Sequence, residues 1–115
     1  MPSLERSINS KRGQAFLREL ILALNALPEK ILIYGDFENS DGYCVMGACL
    51  KYRNLNVREI DDSNEGLGSI FNIHTEFIEK VIDVNDSPRI IETQTKRWHR
   101  VRDWAVSNLK TKEKI

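Results

Sequence analysis

Few residues of this chain are of the types that break or make bonds. The only histidines are His74 and His99, and the only cysteines are Cys44 and Cys49. Five residues of helix rotate the chain by about 500°, which leaves the two thiols about 140° apart. That spacing suits neither a disulfide nor a shared metal. Both thiols lie in an apolar run, Tyr43-Cys-Val-Met-Gly-Ala-Cys-Leu50, where free cysteine serves as a small core residue, and nothing in the sequence activates either one as a nucleophile. Asp36, Glu38 and Asp41 cluster like cation ligands. They lack the regular oxygen spacing and closing glutamate of a calcium loop, so they read as solvated turn residues. No His-x-x-x-His, Cys-x-x-Cys, Walker loop or Gly-x-Ser-x-Gly occurs. The sequence therefore assigns no catalytic residue, metal site or cofactor, and reads as a non-enzymatic protein, with a small enzyme of unrecognised type as its last alternative.

The remaining chemistry is electrostatic. Seventeen basic and seventeen acidic side chains cancel, which excludes a polyanion-coating protein and a wholesale DNA mimic. The charges are nevertheless segregated. Residues 54–88 carry eight acidic and two basic side chains, a net of −6, whereas residues 89–115 carry eight basic and three acidic, a net of +5. One reading docks the basic end on the acidic middle. The other leaves one surface for a partner, and the candidate protein-binding face is then Glu59, Asp61, Asp62, Glu65, Glu76, Glu79 and Asp83. A rival nucleic-acid site would use Lys96, Arg97, Arg100 and Arg102, interleaved with Trp98, His99 and Trp104, since cations beside aromatics suit single strands or RNA.

Residues 67–82 have the spacing of a helix-turn-helix: Gly68 at the close approach, Asn72 at the left-handed turn position, and Ile73, Ile78 and Val81 locking the pair. The second helix would offer Glu76, Glu79 and Asp83 to a major groove. Carboxylates there repel phosphates, so the corner reads as packing rather than as a DNA reader.

The elements that must position these groups follow from periodicity. Phe16, Leu17, Leu20, Ile21, Leu24 and Leu27 give one apolar helix face, with Ser10 as N-cap and Pro28 as stop. Lys30-Ile-Leu-Ile-Tyr34 leans to strand, and Asp41-Gly42 signals a hairpin that would pair residues 31–34 with 43–46. The competing pattern, which we favour, is a loop followed by a buried helix from Cys44 to Tyr52. Gly47 costs that helix about 1 kcal/mol unless a close helix–helix contact needs it. Two short helices, Glu65–Phe71 and Thr75–Val84, precede a turn at Asn85-Asp86-Ser87-Pro88. A last helix starts near Thr93 and turns Trp98, Val101, Trp104, Ala105 and Leu109 inward.

The expected architecture is an all-α, single compact domain of about five helices over residues 10–109, with the short strand or hairpin near 31–46 as its one variant. Residues 1–9 are expected as a flexible lead-in and 110–115 as a frayed tail. The expected core is Phe16, Leu20, Leu24, Cys44, Ala48, Ile70, Phe77, Ile78, Val81, Trp98, Val101 and Ala105. The longest nearly apolar run, Leu20 to Leu27, is too short for a membrane span, and the first residues carry no apolar signal stretch. A cytoplasmic location with reduced cysteines follows as an expectation. Homodimerisation through the opposite patches is a further expectation.

Several stretches resemble a group of short, uncharacterised helical proteins of bacteria and their phages. They are Arg12-Gly-Gln-Ala-Phe-Leu-Arg-Glu19 with Ala26-Leu-Pro-Glu-Lys30, Gly42-Tyr-Cys-Val-Met-Gly-Ala48, and Val84-Asn-Asp86 before the Trp98 helix. Val45 and Met46 replace the Ala-Leu commoner in that group. The resemblance spans most of residues 12–105 and implies a phage or prophage accessory protein. Its expected role is to inhibit or modulate a host complex, for example a nucleic-acid-targeting defence system.

Overall fold

The computed structural model describes residues 3–87 and 91–111. Its helices begin where short polar side chains cap them. Ser3, Ser10, Ser63 and Thr93 each accept a hydrogen bond from a first-turn backbone N–H, and so start α1 (Leu4–Asn9), α2 (Lys11–Ala26), α4 (Asn64–Phe71) and α6 (Gln94–Ser107). Between them lie α3 (Val45–Tyr52) and α5 (Thr75–Asp86). The connection at 54–62 contains a 3-10 turn, Val57–Glu59. The fold is thus mostly α, with six helices among the described residues and one two-residue hairpin.

That hairpin combines the two patterns that competed over residues 31–46. β1 (Glu38–Asn39) pairs antiparallel with β2 (Gly42–Tyr43), Glu38 opposite Tyr43 and Asn39 opposite Gly42. The helix from Val45 follows it directly. Residues 31–34 do not form the strand of the hairpin alternative; they are loop, as the favoured pattern has it. Ile33 N–H donates to Tyr43 O at 3.0 Å and Leu32 N–H to Gln94 O at 3.1 Å, so this stretch is stitched between the hairpin and the start of α6.

Helix α2 is the central element, packed on α1, α3 and α6, while α5 packs on α1, α3, α4 and α6. Phe16 binds the two halves together, with Phe71 and Phe77 ring centroids at 5.4 and 5.3 Å. Eleven of the twelve expected core residues are buried, and the twelfth, Ile70, is half-buried. Leu32, Val45, Met46 and Leu50 lie outside the expected core set, yet all four are buried, whereas Tyr52 at the end of the expected buried helix is exposed.

Three boundaries differ from expectation. The lead-in holds an ordered helix: α1 buries Ile8, and Gln14 Nε2 donates to Ile8 O at 2.8 Å. Gly13 allows this elbow, because a Cβ there would stand 1.9 Å from Ser7 O. Asn85 and Asp86 belong to the last turn of α5 rather than to the turn after it, and Pro88 lies outside the described residues. In the tail, Lys110 N–H is held by Gln14 Oε1 at 2.8 Å, whereas 112–115 lie outside the described residues.

Candidate protein-interaction face

The fold sorts the charged residues by what they touch. Glu59, Asp61, Asp62, Glu65, Glu79 and Asp83 are exposed and Glu76 is half-buried. None of the seven takes part in an ion pair of the described residues. Asp61 orders its own turn: hydrogen bonds from Ser63 hold its carboxyl below the usual carboxylate range. Glu59 ends the 3-10 turn and Asp62 lies in the loop before α4. Glu65 on α4 and Glu76, Glu79 and Asp83 on α5 belong to the two helices that meet at the predicted corner. Asn72 closes α4 in the left-handed region (φ 58°), and a Cβ on Gly68 would stand 2.8 Å from Ile73 O. Ile78 and Val81 are buried and Ile73 is half-buried. The corner therefore packs as its spacing predicted, and α5 turns Glu79 and Asp83 outward.

The basic set is arranged differently. Arg97 is not a surface group: it is 3 % exposed. Its Nε donates to Asn85 O at 3.0 Å and lies 3.5 Å from Glu92, and its guanidinium covers the Tyr34 ring. Arg100 grips both Glu92 oxygens, at 2.8 and 3.0 Å, and donates to Val84 O at 2.6 Å. Arg102 donates to Asn25 Oδ1 at 2.9 Å and stands over Trp98. Of the four expected nucleic-acid contacts, only Lys96 is fully exposed. Burying a guanidinium without partners is costly, and here the backbone carbonyls at the end of α5 and Glu92 supply them. The basic end does dock inward, but on Glu92 and helix-end carbonyls rather than on the acidic side chains of residues 54–83. Trp98 is likewise core, its Nε1 donating to Leu24 O at 3.0 Å, while Trp104 is half-buried.

Asn85, read from sequence as a turn residue, joins three segments from the interior. It is 1 % exposed; Oδ1 accepts from Val45 N–H at 3.0 Å and Nδ2 donates to Ile33 O at 2.9 Å and to Asp86 Oδ1 at 3.0 Å. No one-dimensional signal separates such an asparagine from a solvated one. Gly47 belongs to the same region: a Cβ there would lie 1.8 Å from Phe37 O. The close contact it permits is with the loop before the hairpin, not with another helix.

Three concavities run along this side. One of about 560 Å³ lies between the hairpin loop and the 3-10 turn, lined by Asp36, Glu38, Arg58 and Asp62. One of about 70 Å³ lies between Phe37, Val45, Ile82 and Asp86. A third, of about 270 Å³, borders α5 at Glu79, Asp83 and Asp86. Adjoining members share Asp36 and Phe37, or Ile82 and Asp86. Together they make a grooved surface that is predominantly acidic.

The thiols stand apart from it chemically. Burial pushes the Cys44 thiol up to about 11 and the Cys49 thiol higher still, so both are protonated at neutral pH. His74 begins α5 without capping it, and His99 is exposed with its ring 4.9 Å from that of Trp98. Among the described residues no three His, Cys, Asp or Glu side chains are grouped to hold a metal ion, and no helix is long and apolar enough to cross a membrane. Comparison of the chain with family models, curated proteins and solved structures finds no match.

Proposed function

We propose that this protein is a small non-enzymatic binding module that engages a basic surface of a protein partner through its acidic face. The role fits a phage or prophage accessory protein that inhibits or modulates a host complex, such as a nucleic-acid-targeting defence system with a cationic channel. One observation carries the reading. The exposed carboxylates of residues 59–83 make no ion pair among the described residues, whereas Arg97 and Arg100 are held by Glu92 and by carbonyls at the end of α5. Unpaired like charges on one face cost the folded state through repulsion and are relieved by a complementary partner. The resemblance to short phage and bacterial proteins supports the same setting.

The test is charge reversal of the triple Glu76→Lys, Glu79→Lys, Asp83→Lys, with wild type and variant as parallel baits in host lysate. The variant should melt like wild type and lose the captured partner; retention of the partner by a folded variant overturns the acidic-face reading. Fluorescence anisotropy with duplex DNA and single-stranded RNA at about 50 mM salt, where phosphate contacts are strongest, should show no binding. Salt-sensitive binding there would replace this proposal with a nucleic-acid one.

A further inference from the structure

The smallest of the three concavities is the most selective in shape. Its walls are apolar, from Phe37, Cys44, Val45 and Ile82, and Asp36 and Asp86 also line it. At about 70 Å³ it is far below the roughly 300–1,000 Å³ of small-molecule sites. It fits the end of one side chain.

The carboxylate at this pocket is only half satisfied. Asp86 Oδ1 accepts from Asn85 Nδ2 at 3.0 Å and, weakly, from Gly35 N–H at 3.4 Å. Oδ2 has no hydrogen-bond partner among the described residues, and no ion pair of those residues includes Asp86. The side chain is half-buried and fixed in place, since Asn85 is itself pinned by Val45 N–H and Ile33 O. The walls are preset as well: Cys44 N–H donates to Phe37 O at 3.0 Å, and Gly47 lets that loop close on α3. Apolar walls beside the free Asp86 oxygen, with the Asp36 carboxylate also lining the pocket, complement an aliphatic stem with a compact cation at its tip. An arginine fork needs two acceptor oxygens in its plane, and one of the two is occupied. An ammonium needs one.

We infer that this pocket takes a lysine side chain of the partner, its methylenes against Phe37 and Ile82 and its ammonium on Asp86. The inference rests on the acidic-face reading and names the anchor within it. The neighbouring cleft, with Glu79 and Asp83, would then surround the anchor with a favourable field.

The experiment is an NMR titration of the ¹⁵N-labelled full chain with N-acetyl-lysine methylamide, against the norleucine and arginine analogues. The lysine compound should shift the Gly35, Val45, Ile82 and Asp86 amides saturably. Norleucine, which keeps the stem and loses the charge, should bind about tenfold more weakly or worse, as loss of a hydrogen bond to a charged group implies. Arginine should also bind more weakly. Asp86→Asn keeps an oxygen for Gly35 and Asn85, so it should fold and lose the preference for lysine. Equal shifts from lysine and norleucine, or arginine binding the tighter, overturn the inference. So do lysine shifts confined to Glu79 and Asp83. An octalysine peptide separates the two levels of the argument. Shifts on the acidic face with a silent pocket sink the anchor and leave the face reading standing. Lysine binding in the pocket with no octalysine shifts elsewhere upholds the anchor and sinks the broader face.

Discussion

Asn85 shows how much one polar side chain can hold when it is placed inside. It links the N-terminus of α3, the stretch at Ile33 and the carboxylate of Asp86, and its own carbonyl receives Arg97. Truncation to Ala would strand Val45 N–H and Ile33 O, both on buried residues. Each stranded group costs about 1–3 kcal/mol. Asn85→Ala should therefore lower unfolding free energy by about 2–4 kcal/mol in urea titrations. A loss below about 0.5 kcal/mol, the range of ordinary surface substitutions, would mean that the network is replaced by solvent. Asn-Asp-Ser-Pro is turn chemistry, so the sequence alone ends the helix at Val84. It runs two residues further, since an asparagine satisfied by distant backbone costs α5 little.

Among the elements, the α4–α5 corner is the one whose geometry was most legible. A short helix, a small residue and an asparagine at the left-handed position are local requirements, so spacing alone exposed them. Asn72 also anchors this corner to α2, its Oδ1 accepting from Arg12 at 3.0 Å. Asn72→Gly should keep the backbone and lose only that exposed contact, for a change within about 0.5 kcal/mol. Asn72→Ala, which must hold φ near 58° with a Cβ and no polar compensation, should cost about 1–2 kcal/mol more than glycine. Thermal melts of the two variants check the order, and equal melting temperatures would show that the turn relaxes out of the left-handed region. The hairpin was harder to place. Asp41-Gly42 signals the hairpin, but the turn is Ser40-Asp41 and Gly42 is already paired with Asn39, because 31–34 is claimed by α6 and the hairpin's outer edge.

At the scale of the molecule, α6 is fastened by charge as well as by Trp98 and Val101. Glu92, before its first turn, lies between Arg97 and Arg100. The hydrogen bonds from Arg100 hold its carboxyl below the ordinary range. A carboxyl depressed in the folded state adds stability above its unfolded value of about 4.3, and that part disappears as pH falls through the lower folded value. Wild type should therefore lose more stability than Glu92→Gln between about pH 5 and pH 3, as read by denaturant midpoints across that range. Parallel curves would show that Glu92 contributes no such term. A radius of gyration of 13.2 Å is that of one packed domain of this length, so α1, the hairpin and α6 all report on a single core.

What the sequence determined by itself was local. Apolar recurrence marked five of the helices to within a few residues, the Ser10 cap marked the start of α2, and charge counting divided an acidic middle from a basic end. Those signals depend on neighbours three or four positions away, which a linear reading contains. The tertiary structure alone decided which charges are left for a partner. Arg97 meets Leu32 O across 65 positions and Asn85 meets Val45 across 40, and such encounters depend on how helices pack. Arg97 and Arg100, offered by the sequence as part of a rival nucleic-acid site, are consumed by Glu92 and helix-end carbonyls. The acidic side chains of residues 59–83, in no ion pair of the described residues, keep their charge largely on the outside.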